Sequence, residues 1–397
     1  MKKHLAIICG IFYPDPSATG QCAKRFANLL SNDFEIDIIC LSESEEQMSV
    51  DLADGMKVHK LAGCRLRAES KSAGILRKTI HLLGGAQIKT RLLGNLTWYR
   101  KAAYQKLEEI HSMHSLDTVF SICSPFAAHC AAMDFKRMHP TIRWCGYTVD
   151  PYATGNRIRP FWCSYKKLIE VEKRVLQSMD TVLLSEEVFK SRPELYLGCS
   201  ACRALPYVLP EMNLGTGERR FFSEEDINCV YAGSFYRDIR NPEYMLSLFS
   251  EINDRRIKLH LFSRGCEDVV NRYAQCSDTI IVHEHISPSE MWQVYRDADI
   301  MVNIGNASPE FLPSKTYEYI STGKPIISFY YGDTPDKVLE NYPLCIQLCN
   351  EPTSNDSDCL AVFVLSNGKK VLEHEQILKL YQQNTPQNVA SILLSSM

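Results

Sequence analysis

A chain of 397 residues exceeds what one ordinary hydrophobic core organises, so two domains of roughly 150 to 200 residues are expected. Hydrophobic residues make up 45% and charged residues 23%, with 19 glycines and 18 prolines, which excludes a disordered, collagen-like or low-complexity chain. The formal net charge of -3 leaves no overall basic surplus, and nucleic acid is not an expected partner.

Taken from the amino terminus, residues 5–12 imitate a signal peptide. The apolar run is short, however, is cut by Gly10, and ends in Tyr13-Pro14-Asp15-Pro16 instead of a small-residue cleavage site. It reads as a first buried strand, and no stretch approaches the ~20 apolar residues of a membrane span. Strand-type runs at 5–11, 36–41, 118–122 and 142–147 alternate with helical periods at 19–30 and 126–137. Further strands are expected at 181–185 and near 204–209. The polar stretch 211–226 reads as a linker.

A second alternating series places strands at 229–232, 259–262, 280–283, 300–304 and 326–330, with amphipathic segments between them. Such βαβ alternation predicts an α/β protein of two Rossmann-like doubly wound domains facing a cleft, with ligands at the carboxyl ends of the strands. The domains are expected at 1–210 and 227–384. Thr385-Pro386 then opens a terminal helix over 385–397 that needs a surface to cover. The sixteen cysteines lie mostly inside apolar runs and read as small core residues of a reducing cytosol. Cys199 and Cys202 form a lone Cys-x-x-Cys without a second ligand pair, which favours free thiols over zinc.

Several familiar motifs fail. No G-x-G-x-x-G follows the first strand, Gly323-Lys324 runs into Pro325 and is no Walker A loop, and there is no G-x-S-x-G elbow. Asp297-Ala298-Asp299 has the form of a metal-binding Asp-x-Asp but falls where a helix hands over to a strand, so no metal is expected. The informative segment is 306–325. Ser314 is a helix N-cap, Gly323 a helix stop and Pro325 the residue beyond it, and seven residues separate Glu310 in the preceding loop from Glu318 inside the helix. Lys315 in the first helical turn is unfavourable for an isolated helix unless an anion such as a diphosphate sits there. Glu310 would then face what hangs from the diphosphate, and Glu318 would accept hydrogen bonds from a diol.

On these residues the chain resembles the retaining glycosyltransferases of the family-4 type, with the glycosyltransferase-B fold. Their Glu-x7-Glu motif and following Gly-x-Pro step match Glu310, Glu318, Gly323, Pro325, Ile326 and Ile327. In the first domain, residues 7–20 resemble the family's strand, loop and helix start, with Gly20 at the helix. Ser124-Pro125-Phe126 with His129, and Val149-Asp150-Pro151, resemble segments of bacterial polysaccharide and O-antigen members. In the second domain, the strand, glycine and basic residues that grip the diphosphate correspond to 231–240. Gly233 is the glycine, Ser234 stands where an arginine is common, and the grip falls to Arg237 or Arg240. The base-binding loop corresponds to 282–286.

The resemblance implies a metal-independent hexosyltransferase without a cofactor. It would move a sugar from a nucleotide diphosphate sugar to a glycan or lipid-linked acceptor, in bacterial surface polysaccharide synthesis. Glu310, Asp150 and His129 are its expected catalytic residues, and Gly20, Gly233, Arg237, Arg240, Lys315 and Glu318 its donor-binding residues. Plainer readings stand beside these: His129 as a core histidine, Asp150 as a turn residue, Gly20 as a turn glycine, and the two arginines as a surface pair. A nucleotide-sugar 2-epimerase and a non-catalytic sugar-nucleotide-binding protein are the rival functions. Residues 65–106 carry ten Lys and Arg against Glu69 alone, interleaved with apolar side chains. That mixture suits either an anionic membrane surface or helices with solvated basic faces, and it sets the expected location as cytoplasmic, peripheral on the inner face of the membrane if the segment docks.

Overall fold

The computed structural model describes residues 2–12, 17–42, 48–52, 55–61, 97–155, 165–211, 221–284, 286–306, 315–332, 335–350 and 356–397. The chain divides into two compact units, Met1–Tyr207 with Pro386–Met397, and Val208–Thr385.

The first unit is built on eight strands: β1 (Lys3–Ile11), β2 (Phe34–Leu41), β3 (Met48–Asp51), β4 (Lys57–Leu61), β5 (Thr118–Cys123), β6 (Arg143–Thr148), β7 (Thr181–Ser185) and β8 (Cys202–Leu205). They lie in the order β3-β4-β2-β1-β5-β6-β7-β8, with every pair parallel except β3 with β4. Leu5, Ala6, Ile7, Ile8 and Cys9 are all fully buried, because helices cover both faces of a parallel sheet and a central strand needs an apolar side chain on each. Ser17 caps the helix Ala18–Leu30 by accepting the Gly20 N–H at 3.2 Å. On the helix Thr97–Met113, the Tyr99 hydroxyl is buried and donates to the Cys9 carbonyl of β1 at 2.5 Å.

The second unit has six parallel strands: β9 (Ile227–Ser234), β10 (Ile257–Arg264), β11 (Ile280–Val282), β12 (Ile300–Ile304), β13 (Ile326–Tyr330) and β14 (Cys345–Cys349), in the order β11-β10-β9-β12-β13-β14. The strand order reverses between β9 and β12, which makes that boundary the topological switch point. At the amino end the two strands are stapled. Asp299 accepts from the Asn228 backbone N–H and side-chain amide, both at 2.9 Å, and also meets Lys369 Nζ at 3.2 Å. Asp297 pairs with Arg296 and accepts from the Phe221 N–H. Both carboxylates of the Asp-x-Asp therefore serve the fold, at the end of the sheet opposite the switch-point crevice.

Two boundaries differ from the sequence expectation. The expected first domain ran to residue 210, yet Val208 already belongs to the second unit, and the Leu209 N–H donates to the Asn384 carbonyl there. The described end of the polar stretch is likewise held: Phe222 packs at a tilt against His260 with ring centres 4.1 Å apart. The helix Pro386–Ser396 packs on the first unit, against Ala18–Leu30, with Val389 and Leu393 fully buried. Among the described residues no helix is long and apolar enough to cross a membrane.

Candidate active site

The site grows from the end of β9. This strand runs alongside β10 as far as Ser234, but its ladder with β12 closes at Tyr231 with Val302. Beyond that point the sheet opens, and Tyr319 fills the gap. Its hydroxyl accepts from the Ala232 N–H at 3.2 Å and donates to the Ala232 carbonyl at 3.1 Å, which satisfies both strand groups that β12 has left. Gly233 is the next residue, where a Cβ would come within 3.2 Å of the Tyr231 hydroxyl.

After β9 the chain makes a tight reversal, with Tyr236 and Arg240 bonded through both backbone pairs at 3.1 and 2.8 Å. The reversal separates two arginines that are three residues apart. Arg237 is at the tip, exposed, and paired with Asp268. Arg240 is folded back and half-buried, donating to the Asn306 side-chain oxygen at 2.8 Å and lying 3.5 Å from the Ser234 carbonyl. It thereby spans the carboxyl ends of β9 and β12. Among the described residues its buried Nε has no hydrogen-bond partner, and neither has the Thr316 hydroxyl.

Lys315 opens the helix Lys315–Ser321 and donates to the Tyr295 hydroxyl at 2.9 Å. Burial pulls its ammonium below the ordinary lysine range, Glu318 opposes that shift and the Arg240 guanidinium adds to it. Two cations thus lie close enough to oppose each other, with Glu318 one turn along. Gly323 ends the helix at φ +72, where a Cβ would sit 2.4 Å from the Leu372 carbonyl. Lys324 is a buried cap, its ammonium donating to the Arg296 and Ala298 carbonyls at the end of the helix Pro288–Asp297. Glu310 and Ser314 lie outside the described residues, as do residues 65–96 of the basic segment. In the described part of that segment Arg100 makes a bidentate bond to Asp134 and Lys106 pairs with Glu109.

In the loop expected to meet the base, His283 is half-buried, stacked on Phe262 at 4.3 Å and bonded to His260 Nδ1 at 2.9 Å. Burial lowers the pKa of both imidazoles, that of His260 to about 3.

In the first unit the expected residues separate into different roles. Gly20 is buried in the first turn of its helix with its N–H engaged by Ser17. His129 is fully buried, with Nδ1 2.7 Å from the Ser121 hydroxyl and Nε2 3.2 Å from that of Thr148, and burial drives its pKa down to about 3. This is a neutral core histidine, which corrects the catalytic expectation: both ring nitrogens are engaged and neither reaches solvent. Asp150 follows β6. The residue is exposed, yet the protein mass around its carboxyl raises the pKa to about 6. The turn after it is held by Glu172, fully buried, whose carboxylate accepts from the Tyr152 and Ala153 N–H groups at 2.6 and 2.9 Å. Sequence reading missed Glu172, Tyr295, Tyr319 and Asn306. Only the glutamate offered a local signal, an acid on a helix face otherwise meant for burial. Cys199 and Cys202 are free thiols, burial pushing Cys202 up to about 12.

Residues 226–350 match the family model for glycosyl transferases group 1. Solved structures align over nearly the whole chain. Sucrose-phosphate synthase from Thermosynechococcus elongatus matches at 11% identity and TM-score 0.69, covering 99% of this chain and 98% of that one. The lipopolysaccharide outer core galactosyltransferase WaaB matches at 11% identity and TM-score 0.58, covering 99% of each chain. HepE of Anabaena, in complex with UDP and glucose, matches at 9% identity and TM-score 0.55, covering 98% of each chain. Among curated proteins no sequence match was found. Two parallel-sheet α/β units with these likenesses define the glycosyltransferase-B fold. The stretch that matches glycosyl transferases group 1 lies within the second unit.

Proposed function

We propose that this chain is a retaining hexosyltransferase of the family-4 type, moving a sugar from a nucleotide diphosphate sugar to a glycan or lipid-linked acceptor of a surface polysaccharide. The observation that carries it is the convergence of Arg240 and Lys315 at the carboxyl ends of β9 and β12, within the segment that matches the group 1 family. The Arg240 guanidinium disfavours the Lys315 ammonium, and a diphosphate between them would relieve it. HepE, the neighbour with UDP and glucose, shares this fold, which supports a nucleotide-sugar donor.

The diphosphate is already a good leaving group, so the protein's part is electrostatic. Lys315 and Arg240 neutralise the charge that grows on the leaving oxygens as the glycosidic bond breaks, and this needs no metal. Glu318 takes the ribose diol and Glu310 the donor sugar. Asp150, ionised above pH of about 6, takes the proton from the attacking acceptor hydroxyl. His129 has no part in this scheme.

Titration with a panel of nucleoside diphosphates and their nucleosides tests the donor site. Lys315→Ala is expected to weaken the diphosphate by about ten-fold, ~1.4 kcal/mol, and the nucleoside hardly at all. Equal losses for both ligands would overturn the assignment. Docking of residues 65–106 on an anionic surface belongs to the same proposal. Sedimentation with phosphatidylglycerol vesicles should exceed that with neutral vesicles and fall with salt, and no preference at low salt would remove the membrane from it.

A further inference from the structure

Lys315 and Glu318 stand one turn apart on a helix of seven residues, and that helix alone does not fix either side chain. Tyr295, on the separate helix Pro288–Asp297, meets both. Its hydroxyl oxygen accepts from Lys315 Nζ at 2.9 Å, while Nζ is 5.6 Å from the ring centre, so the ammonium sits off the hydroxyl end and not over the ring face. The phenol is 1% exposed, and its pKa is held well above the ordinary tyrosine value by burial first and then by Tyr319 and Glu318. It is therefore neutral and keeps a proton to donate, with the Glu318 carboxylate and the Tyr319 hydroxyl as its hydrogen-bonding neighbours.

The ring has little freedom. Trp292 and Tyr319 pack edge-on against it at 5.5 and 5.6 Å, and Lys324 closes the end of the same helix. A buried phenol in one position, accepting from a cation and donating toward a carboxylate, holds the two charged groups at a set separation. We infer that Tyr295 is a positioning residue of the donor site: through its hydroxyl it aims Lys315 at the diphosphate and Glu318 at the ribose, so that the two ends of one nucleotide are gripped in register. This rests on the donor-site assignment proposed above.

Tyr295→Phe keeps the ring and removes only the hydroxyl. Calorimetric titration with UDP, ADP and GDP, carrying forward whichever binds the wild type most tightly, is expected to show about a ten-fold loss of diphosphate affinity in Tyr295→Phe. The same substitution made in Lys315→Met is expected to cost less than two-fold more, because the cation it serves is gone. The melting temperature gives a second readout. Tyr295→Phe leaves a buried ammonium without its acceptor and lowers Tm, and adding Lys315→Met to it restores most of the loss, since removing both partners is nearly neutral. Full additivity of the two affinity losses, or undiminished affinity in Tyr295→Phe, overturns the role of Tyr295 and leaves the donor site standing. If Lys315→Met alone binds the diphosphate like wild type, or no diphosphate binds the wild type, the donor site itself is misassigned and the role of Tyr295 falls with it.

Discussion

Asp150 shows how one side chain is set by its surroundings. The protein packed around its carboxyl raises its pKa to about 6, above the ordinary aspartate range. The folded state therefore holds this proton to a higher pH than the unfolded chain. Stability from Asp150 is fully present below about 4 and declines as pH rises toward 6. Asp150→Asn should flatten that part of the stability curve, read by denaturant titration at several pH values. In the proposed reaction the same ionisation governs the rate, so transfer should rise through pH 6 in the wild type and be lost at every pH in Asp150→Asn. An unchanged pH-rate profile in the variant would take Asp150 out of the chemistry. Arg237 and Arg240 carry a parallel lesson, since their composition is identical and only the backbone reversal at Tyr236 puts one in the crevice and one in solvent.

Among the elements, the helix Lys315–Ser321 owes its position to how it stops. Gly323 has a positive φ and a carbonyl neighbour where any side chain would begin, and its own carbonyl accepts the Leu372 N–H at 2.8 Å. Gly323→Ala should cost roughly 1–3 kcal/mol from strain. It should also reduce diphosphate affinity, because Lys315 and Glu318 ride on the displaced helix. A melting temperature and affinity both equal to wild type would show that the stop is not what places the helix. The switch-point opening is likewise a property of an element pair: Asp299 closes β9 against β12 at one end, and Tyr319 occupies the parted end.

The whole molecule returns on itself, since the last helix of the chain completes the first unit. Val389 and Leu393 are fully buried there, Arg143 donates to the Ser396 carbonyl at 3.0 Å, and Arg203 donates to the Ser395 hydroxyl at 2.8 Å. Each buried aliphatic side chain of this kind stabilises by about 1.5–3 kcal/mol. Truncation after Thr385 should therefore lower the protection of β1 and the helix Ala18–Leu30 in hydrogen exchange, while β9 and β12 exchange as before. Uniform loss across both units, or none in the first, would contradict this placement.

Central strands and their helices were legible in the residues. The run at 181–185 matches β7 and that at 300–304 matches β12, because burial on both faces leaves a continuous apolar signature. Lys315 and Glu318 stood out for a similar reason: helix punctuation is local, and their spacing is a property of a few consecutive residues. Two of the four edge strands, β3 and β14, escaped, and so did β4 beside β3; β3 and β14 are largely half-buried or exposed, with little apolar signal to show. Tyr295 and Tyr319 escaped as well, since the first meets Lys315 across twenty residues and the second meets Ala232 across eighty-seven. Local periodicity determined which segments became strands and helices and where a cation would meet a helix start. Register, burial and the reversal after β9 exist only once distant segments pack, and they decided that His129 is core, that Arg240 folds back to Asn306, and that Tyr295 meets Lys315 and Tyr319 meets Ala232.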